Sequence, residues 1–112
     1  MGELSDLDLR RQRAALNEDL FRRVNERIES ASSTASFVSF VCECPYEKCE
    51  ARVPLTIEEY EHVRSQPNRF VVLPGHEDPE LELIQTASDR YLIVSKLGAG
   101  AQAARELDPR SR

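Results

Sequence analysis

Apolar residues recur at Leu9, Leu16, Leu20, Val24 and Ile28, with Arg, Glu and Gln between them and neither Gly nor Pro in the run. Recurrence near the helical period predicts an amphipathic helix, assigned here to residues 1–30. Ser5 and Asp6 are its cap candidates, and Asp8 falls in the first turn, where a carboxylate favours the unpaired amides. The expected packing sets the apolar stripe against this chain's own sheet, as in most small domains. The alternative makes Leu9, Leu16, Leu20, Val24 and Ile28 a seam for a protein partner or for a second copy in a homodimer. A Ser-rich stretch over residues 31–36 supports that alternative. Its small polar side chains bury little surface, so it reads as a flexible tether.

Beyond the tether the pattern shortens. Phe37-Val-Ser-Phe-Val41 is aromatic and β-branched and predicts a strand that runs directly into Cys42-Glu-Cys44. Alternation along a strand points Cys42 and Cys44 to one side and Glu43 to the other. Pro45 ends ladder pairing, Tyr46 to Lys48 suit a reversal, and Cys49 returns at the start of a second strand through Val53. Thr56-Ile-Glu-Glu59 is a capping box, with Leu55 and Tyr60 placed as its hydrophobic staple and Pro67 as the stop, so a short helix follows. Three more strands are expected at Arg69–Leu73, Leu81–Ala87 and Tyr91–Leu97, the last two joined through Ser88-Asp89-Arg90. Gly98-Ala-Gly100 reads as a flexible connection, residues 99–112 as a helical tail, and Asp108 to Arg112 as a frayed end. The fold class is therefore α+β, with a long amino-terminal helix, a mostly antiparallel small sheet, one short helix and a metal-stapled hairpin, residues 37–98 forming the metal-binding domain.

Composition narrows the function. A chain of 112 residues makes one domain with a modest core, to which a metal staple would add materially. The net charge is -5 and the acidic excess lies between Glu43 and Glu82, so the surface repels phosphate and nucleic-acid binding is not expected. No run is long enough to span a bilayer, and Met-Gly-Glu-Leu-Ser-Asp lacks the features of a secretory signal, so a cytoplasmic protein with no membrane partner is expected. In a reducing compartment three neighbouring cysteines indicate metal or thiol chemistry rather than disulfides.

All three cysteines, Cys42, Cys44 and Cys49, lie within eight residues. His76, after Pro74-Gly75 at the end of a strand, offers a fourth soft ligand, and three thiolates with one imidazole form a common structural zinc set. The expected cofactor is zinc, with an iron-sulfur cluster as the alternative. Four protein ligands leave no open coordination position, so no catalytic residue is assigned and a non-enzymatic binding or regulatory module is expected. The alternative is a redox or metal sensor built on the same thiols. His62 falls on the outer face of the short helix and reads as a surface residue. Glu77 and Asp78 are candidates to orient the His76 ring or to repel bulk anions, while the Glu58-Glu59 and Glu80-Glu82 pairs read as solvated faces. The order and spacing of the cysteines differ from the zinc-deaminase motif, and Gly98-Ala-Gly100 lacks the rest of a dinucleotide fingerprint.

Phe40-Val-Cys-Glu-Cys44 with Cys49, Leu55-Thr-x-x-Glu-Tyr60-x-x-Val-Arg64, Phe70-Val-Val-x-Pro-Gly-His76 and Asp108-Pro-Arg110 together resemble a group of small actinobacterial-type hypothetical proteins. The resemblance runs from Asn25-Glu-Arg-Ile28 onward. It implies that the cysteine cluster and the histidine belong to one unit, and it implies no catalytic role.

Overall fold

The computed structural model describes residues 5–32 and 36–110. Ser33, Thr34 and Ala35 of the expected tether, Met1–Leu4, and Ser111 and Arg112 of the tail lie outside the described residues. Helix α1 (Asp6–Ala31) starts where the Ser5 hydroxyl accepts a hydrogen bond from the Asp8 amide at 3.0 Å, with Asp6 and Asp8 in the first turn. It runs to Ala31, and Ser32 caps it. Strands β1 (Val38–Val41) and β2 (Arg52–Leu55) form one antiparallel pair, with Phe40 opposite Val53. β2 begins at Arg52, three residues beyond Cys49. Helix α2 (Ile57–Val63) carries the expected capping box, in which Thr56 accepts from the Glu59 amide and Glu59 accepts from the Thr56 amide.

Strands β3 (Arg69–Val72), β4 (Glu82–Ala87) and β5 (Leu92–Lys96) form a second antiparallel sheet in the order β3-β5-β4. The small sheet is thus two sheets. They are stitched together at Glu43, whose amide donates to the Val71 carbonyl at 2.8 Å while its carboxylate accepts from the Val71 amide at 3.0 Å. Phe40, Val53, Leu55, Tyr60, Val63, Phe70 and Val94 fill the core between the sheets and α2, with Phe40 stacked on Tyr60 at 4.5 Å. Helix α3 (Gly98–Leu107) includes the glycines expected to form a flexible connection. Gly100 is needed there because a Cβ would sit 3.0 Å from the Arg11 carbonyl oxygen, where α1 and α3 cross.

The stripe on α1 does not pack on this chain's own sheet. Leu9, Leu16, Leu20 and Val24 are exposed by 38%, 53%, 63% and 44%, and only Ile28 packs partly against the core. The opposite, mostly polar face is buried through Ala14, Ala15, Glu18, Asp19, Arg22 and Asn25. The reason lies in distant partners. Arg22 pairs with Asp19 at 2.8 Å, donates to the Pro67 and Ala104 carbonyls at 2.6 and 2.9 Å, and stacks over Phe70. Lys96 Nζ lies 2.7 Å from Glu18 and 2.9 Å from Glu82, all three side chains being fully buried. Each ionised group is desolvated but none is left without an opposite charge.

Two further expectations are corrected by the same logic. Of the Glu80-Glu82 pair only Glu80 is solvated, since Glu82 turns inward to Lys96. The Asp108-Pro109-Arg110 segment is not frayed: Asp108 pairs with the buried Arg64, and Arg110 reaches Glu26, Glu29 and Glu61 on α1 and α2 at 2.8 to 3.0 Å. Among the described residues no helix is long and apolar enough to cross a membrane.

Candidate metal centre

The four expected ligands are contributed by three chain segments that the fold brings to one corner. Cys42 and Cys44 extend β1 past its last ladder residue, and the Cys42 amide still donates to the Ala51 carbonyl at 3.1 Å. The reversal is closed by the Cys49 amide donating to the Tyr46 carbonyl at 2.9 Å. His76 comes from a turn after β3, where its amide donates to the Leu73 carbonyl at 3.0 Å. Pro74 at the second position and Gly75 with φ of 94° at the third give this turn its type II form, which a residue with a Cβ resists. The turn therefore aims the imidazole at the hairpin.

One ligand atom from each of Cys42, Cys44, Cys49 and His76 lies within 4.8 Å of all the others. His76 Nδ1 is 3.5 Å from Cys42 Sγ and 3.6 Å from Cys49 Sγ. A tetrahedral ion with bonds of about 2.3 Å to sulfur and about 2.0 Å to nitrogen sets its ligand atoms roughly 3.5 to 3.8 Å apart, so the spacing suits one small cation. Cys42 and Cys44 are buried, Cys49 and His76 half-buried. The cluster can hold a metal ion.

The local electrostatics prepare sulfur for that role. The Cys44 thiol is pulled down to about 5, chiefly by a hydrogen bond from Cys42 that outweighs burial. The same hydrogen bond, together with burial, drives the Cys42 thiol up, and burial raises Cys49. The trio thus favours one thiolate over three in the absence of a cation, and a bound cation would draw out the remaining protons. Cys42 Sγ also accepts from the Leu73 amide at 3.3 Å, which ties it to the end of β3. The Tyr46 ring meets the His76 ring edge-on at 6.4 Å.

Glu77 does not orient the His76 ring. Its carboxylate accepts from the Gly75 amide at 2.8 Å and so fixes the turn, while Asp78 accepts from the Glu80 amide at 3.0 Å. His62 is exposed on α2, as its helical position predicts. The residues that sequence reading missed are those behind the cysteines. Glu43, on the face away from the sulfurs, is fully buried and accepts from Asn25 Nδ2 at 2.8 Å and the Tyr60 hydroxyl at 3.0 Å. Asn25 also brackets Val41, donating to its carbonyl at 2.9 Å and accepting from its amide at 2.8 Å. These contacts fix the strand end from which Cys42 and Cys44 project. Strand alternation could have marked Glu43 as core-facing, but nothing in the spacing identifies Asn25 or Tyr60 as its partners.

A cleft of about 300 Å³ between α1 and the hairpin is lined by Arg10, Arg13, Asn17, Tyr46, Asp78 and Leu81 among others, and none of the four ligand side chains lines it. Comparison of the chain with known protein families, with curated proteins and with solved structures found no match.

Proposed function

We propose that this protein is a small, non-enzymatic binding or regulatory module of the cytoplasm whose Cys42, Cys44, Cys49 and His76 hold one structural zinc ion. The observation that carries the reading is the spacing of His76 Nδ1 from Cys42 and Cys49 Sγ, 3.5 and 3.6 Å, which suits adjacent ligands of one tetrahedral ion. An iron-sulfur cluster distributes its ligands over several iron atoms and spreads them further apart, so mutual proximity within 4.8 Å favours a single ion. Zinc would join the end of β1, the hairpin and the β3 turn, adding to the link that Glu43 and Val71 already make between the two sheets. With four protein ligands, no coordination position is left for a substrate or an activated water. Zinc in this setting organises a surface rather than performing a reaction.

Elemental analysis of protein purified without added metal tests this reading. It predicts close to one zinc per chain, loss of the ion in Cys42→Ser, and a chelator-induced fall in thermal stability. Folded protein free of metal, with all three thiols titratable, would overturn it.

The half-buried Cys49, the most accessible of the three thiols, favours a second reading, a thiol-based sensor at the same site. In it, hydrogen peroxide takes two electrons from two thiolates, an S–S bond forms, peroxide is reduced to water, and the zinc ion leaves. Zinc release at low peroxide that dithiothreitol and zinc reverse supports the sensor. Resistance until the chain denatures supports the scaffold.

A further inference from the structure

The exposed side of α1 carries more information than its four apolar residues. Along it the positions Leu9, Arg13, Leu16, Leu20, Val24, Arg27 and Ala31 follow one another in steps of three and four. Such steps trace a narrow seam of the coiled-coil kind rather than a broad apolar face. All seven positions are exposed, Arg13 at the rim of the cleft beside the hairpin, and the seam lies opposite the buried face of Glu18, Arg22 and Asn25. Helix α1 has 26 residues, about 39 Å at about 1.5 Å per residue, long enough to offer several turns to a second helix.

The two arginines decide what that helix is. Arg10, Arg22 and Arg23 are engaged by acids of this chain, whereas Arg13 and Arg27 are exposed and form no ion pair among the described residues. A second copy aligned in parallel register would set Arg13 against Arg13 and Arg27 against Arg27. Antiparallel pairing about Leu20 would set Arg13 against Arg27. Both seam-aligned arrangements put like charges face to face, which disfavours self-association. A lipid surface is a poor match as well, because the arginines sit within the apolar line instead of beside it.

We infer that the outer face of α1 docks a helix of a different protein, apolar at heptad spacing and carrying Asp or Glu at the two seam positions that meet Arg13 and Arg27. This names the partner class of the binding module proposed above and rests on that reading. Those carboxylates are separated by fourteen residues, as Arg13 and Arg27 are, about 21 Å along the partner helix at about 1.5 Å per residue. Ile28, expected to share the seam, is excluded from it because it packs against the core.

The full-length, metal-loaded chain can be titrated with two synthetic helical peptides that share a leucine seam and differ only at the two facing positions, Glu in one and Lys in the other. Saturable binding of the Glu peptide at least about tenfold tighter than the Lys peptide is expected, with the preference reversed in the Arg13→Glu, Arg27→Glu double variant. Leu16→Gln with Leu20→Gln should abolish binding of both peptides while leaving the thermal midpoint within about 2 °C of wild type, which separates lost docking from lost folding. Equal affinity for both peptides, or none for either, overturns the inference. So does light scattering that shows a dimer broken by the Leu16 and Leu20 changes, or equivalent binding to vesicles of anionic phospholipid. Zinc content is measured on the same samples. One zinc per chain with no peptide binding sinks this inference and leaves the metal reading intact, whereas absent zinc sinks the metal reading.

Discussion

The Cys42, Cys44, Cys49 and His76 corner and the underside of α1 gather polar groups by opposite means. At the corner, Cys42 and Cys44 belong to the core and Cys49 packs against it, and together with His76 their ligand atoms lie close enough to suit a cation. Beneath α1 the cations are side chains: Arg22 and Lys96 are fully buried and held by Asp19, Glu18 and Glu82. A site that one ion completes is all-or-none, whereas a network of ion pairs can lose members singly. The contrast teaches that the cations buried beneath α1 each depend on a neighbouring carboxylate, and that the two regions should fail in different ways.

The largest effect is expected at the corner. Cys42→Ser, or removal of the ion with a chelator, should lower the thermal midpoint by about 15 °C or more, read by circular dichroism, because structural zinc binding is folding free energy. Restoring zinc should reverse the chelator effect but not that of the substitution.

Next comes Lys96→Met, which leaves Glu18 and Glu82 facing each other without their shared cation. It should cost about 3 to 5 kcal/mol in urea unfolding, the range for breaking a buried ion pair from one side. Adding Glu18→Gln and Glu82→Leu should recover most of that loss, because a buried network replaced as a whole can be neutral. Zinc content should stay at the wild-type level in both variants, which would separate the two regions.

A smaller, pH-dependent effect sharpens the comparison. Burial drives the Glu18 carboxyl well above its ordinary range, and the neighbouring Glu82 adds to the rise although Lys96 opposes it. The folded chain therefore holds the Glu18 proton more tightly than the unfolded chain. The stabilisation is complete below the ordinary carboxylate value of about 4.3 and is lost as pH rises through the raised folded value. Measured as the difference from Glu18→Gln, wild-type stability should fall as pH rises above about 5, with a slope of up to about 1.4 kcal/mol per pH unit. Taking the difference removes the metal site's own pH dependence, which runs the other way because thiols must lose protons to bind.

The smallest effect belongs to the outer face of α1. Leu20→Gln should change stability by less than about 0.5 kcal/mol, since the side chain is 63% exposed, whereas Val53→Ala in the core should cost about 2 kcal/mol or more.

How much was legible follows from the range over which each feature is determined. The Thr56–Glu59 capping box and the three strands between Arg69 and Lys96 were readable because their signals are local. The ligand set was readable as chemistry, since three cysteines in eight residues have few other uses, and the Pro74-Gly75 turn explained how His76 could be aimed. The helix itself was plain in the pattern of Leu9, Leu16, Leu20 and Val24, but its orientation was not. Which face is buried depends on Lys96, Ala104, Pro67 and Phe70, whose contacts with α1 span 45 residues or more along the chain. Hydrophobic periodicity assigns the apolar face inward by default, and here the polar face won because every charge on it found a partner. The same long range hid Asn25 and Tyr60 behind Glu43, and Arg64 behind Asp108.

X-ray absorption at the zinc edge of the purified chain tests the central claim most directly, because it reads the ion's neighbours rather than the protein's stability. The account predicts three sulfur neighbours at about 2.3 Å and one imidazole nitrogen at about 2.0 Å, with the nitrogen replaced in His76→Ala. A shell of oxygen and nitrogen alone, or a spectrum unchanged by both Cys42→Ser and His76→Ala, would contradict it.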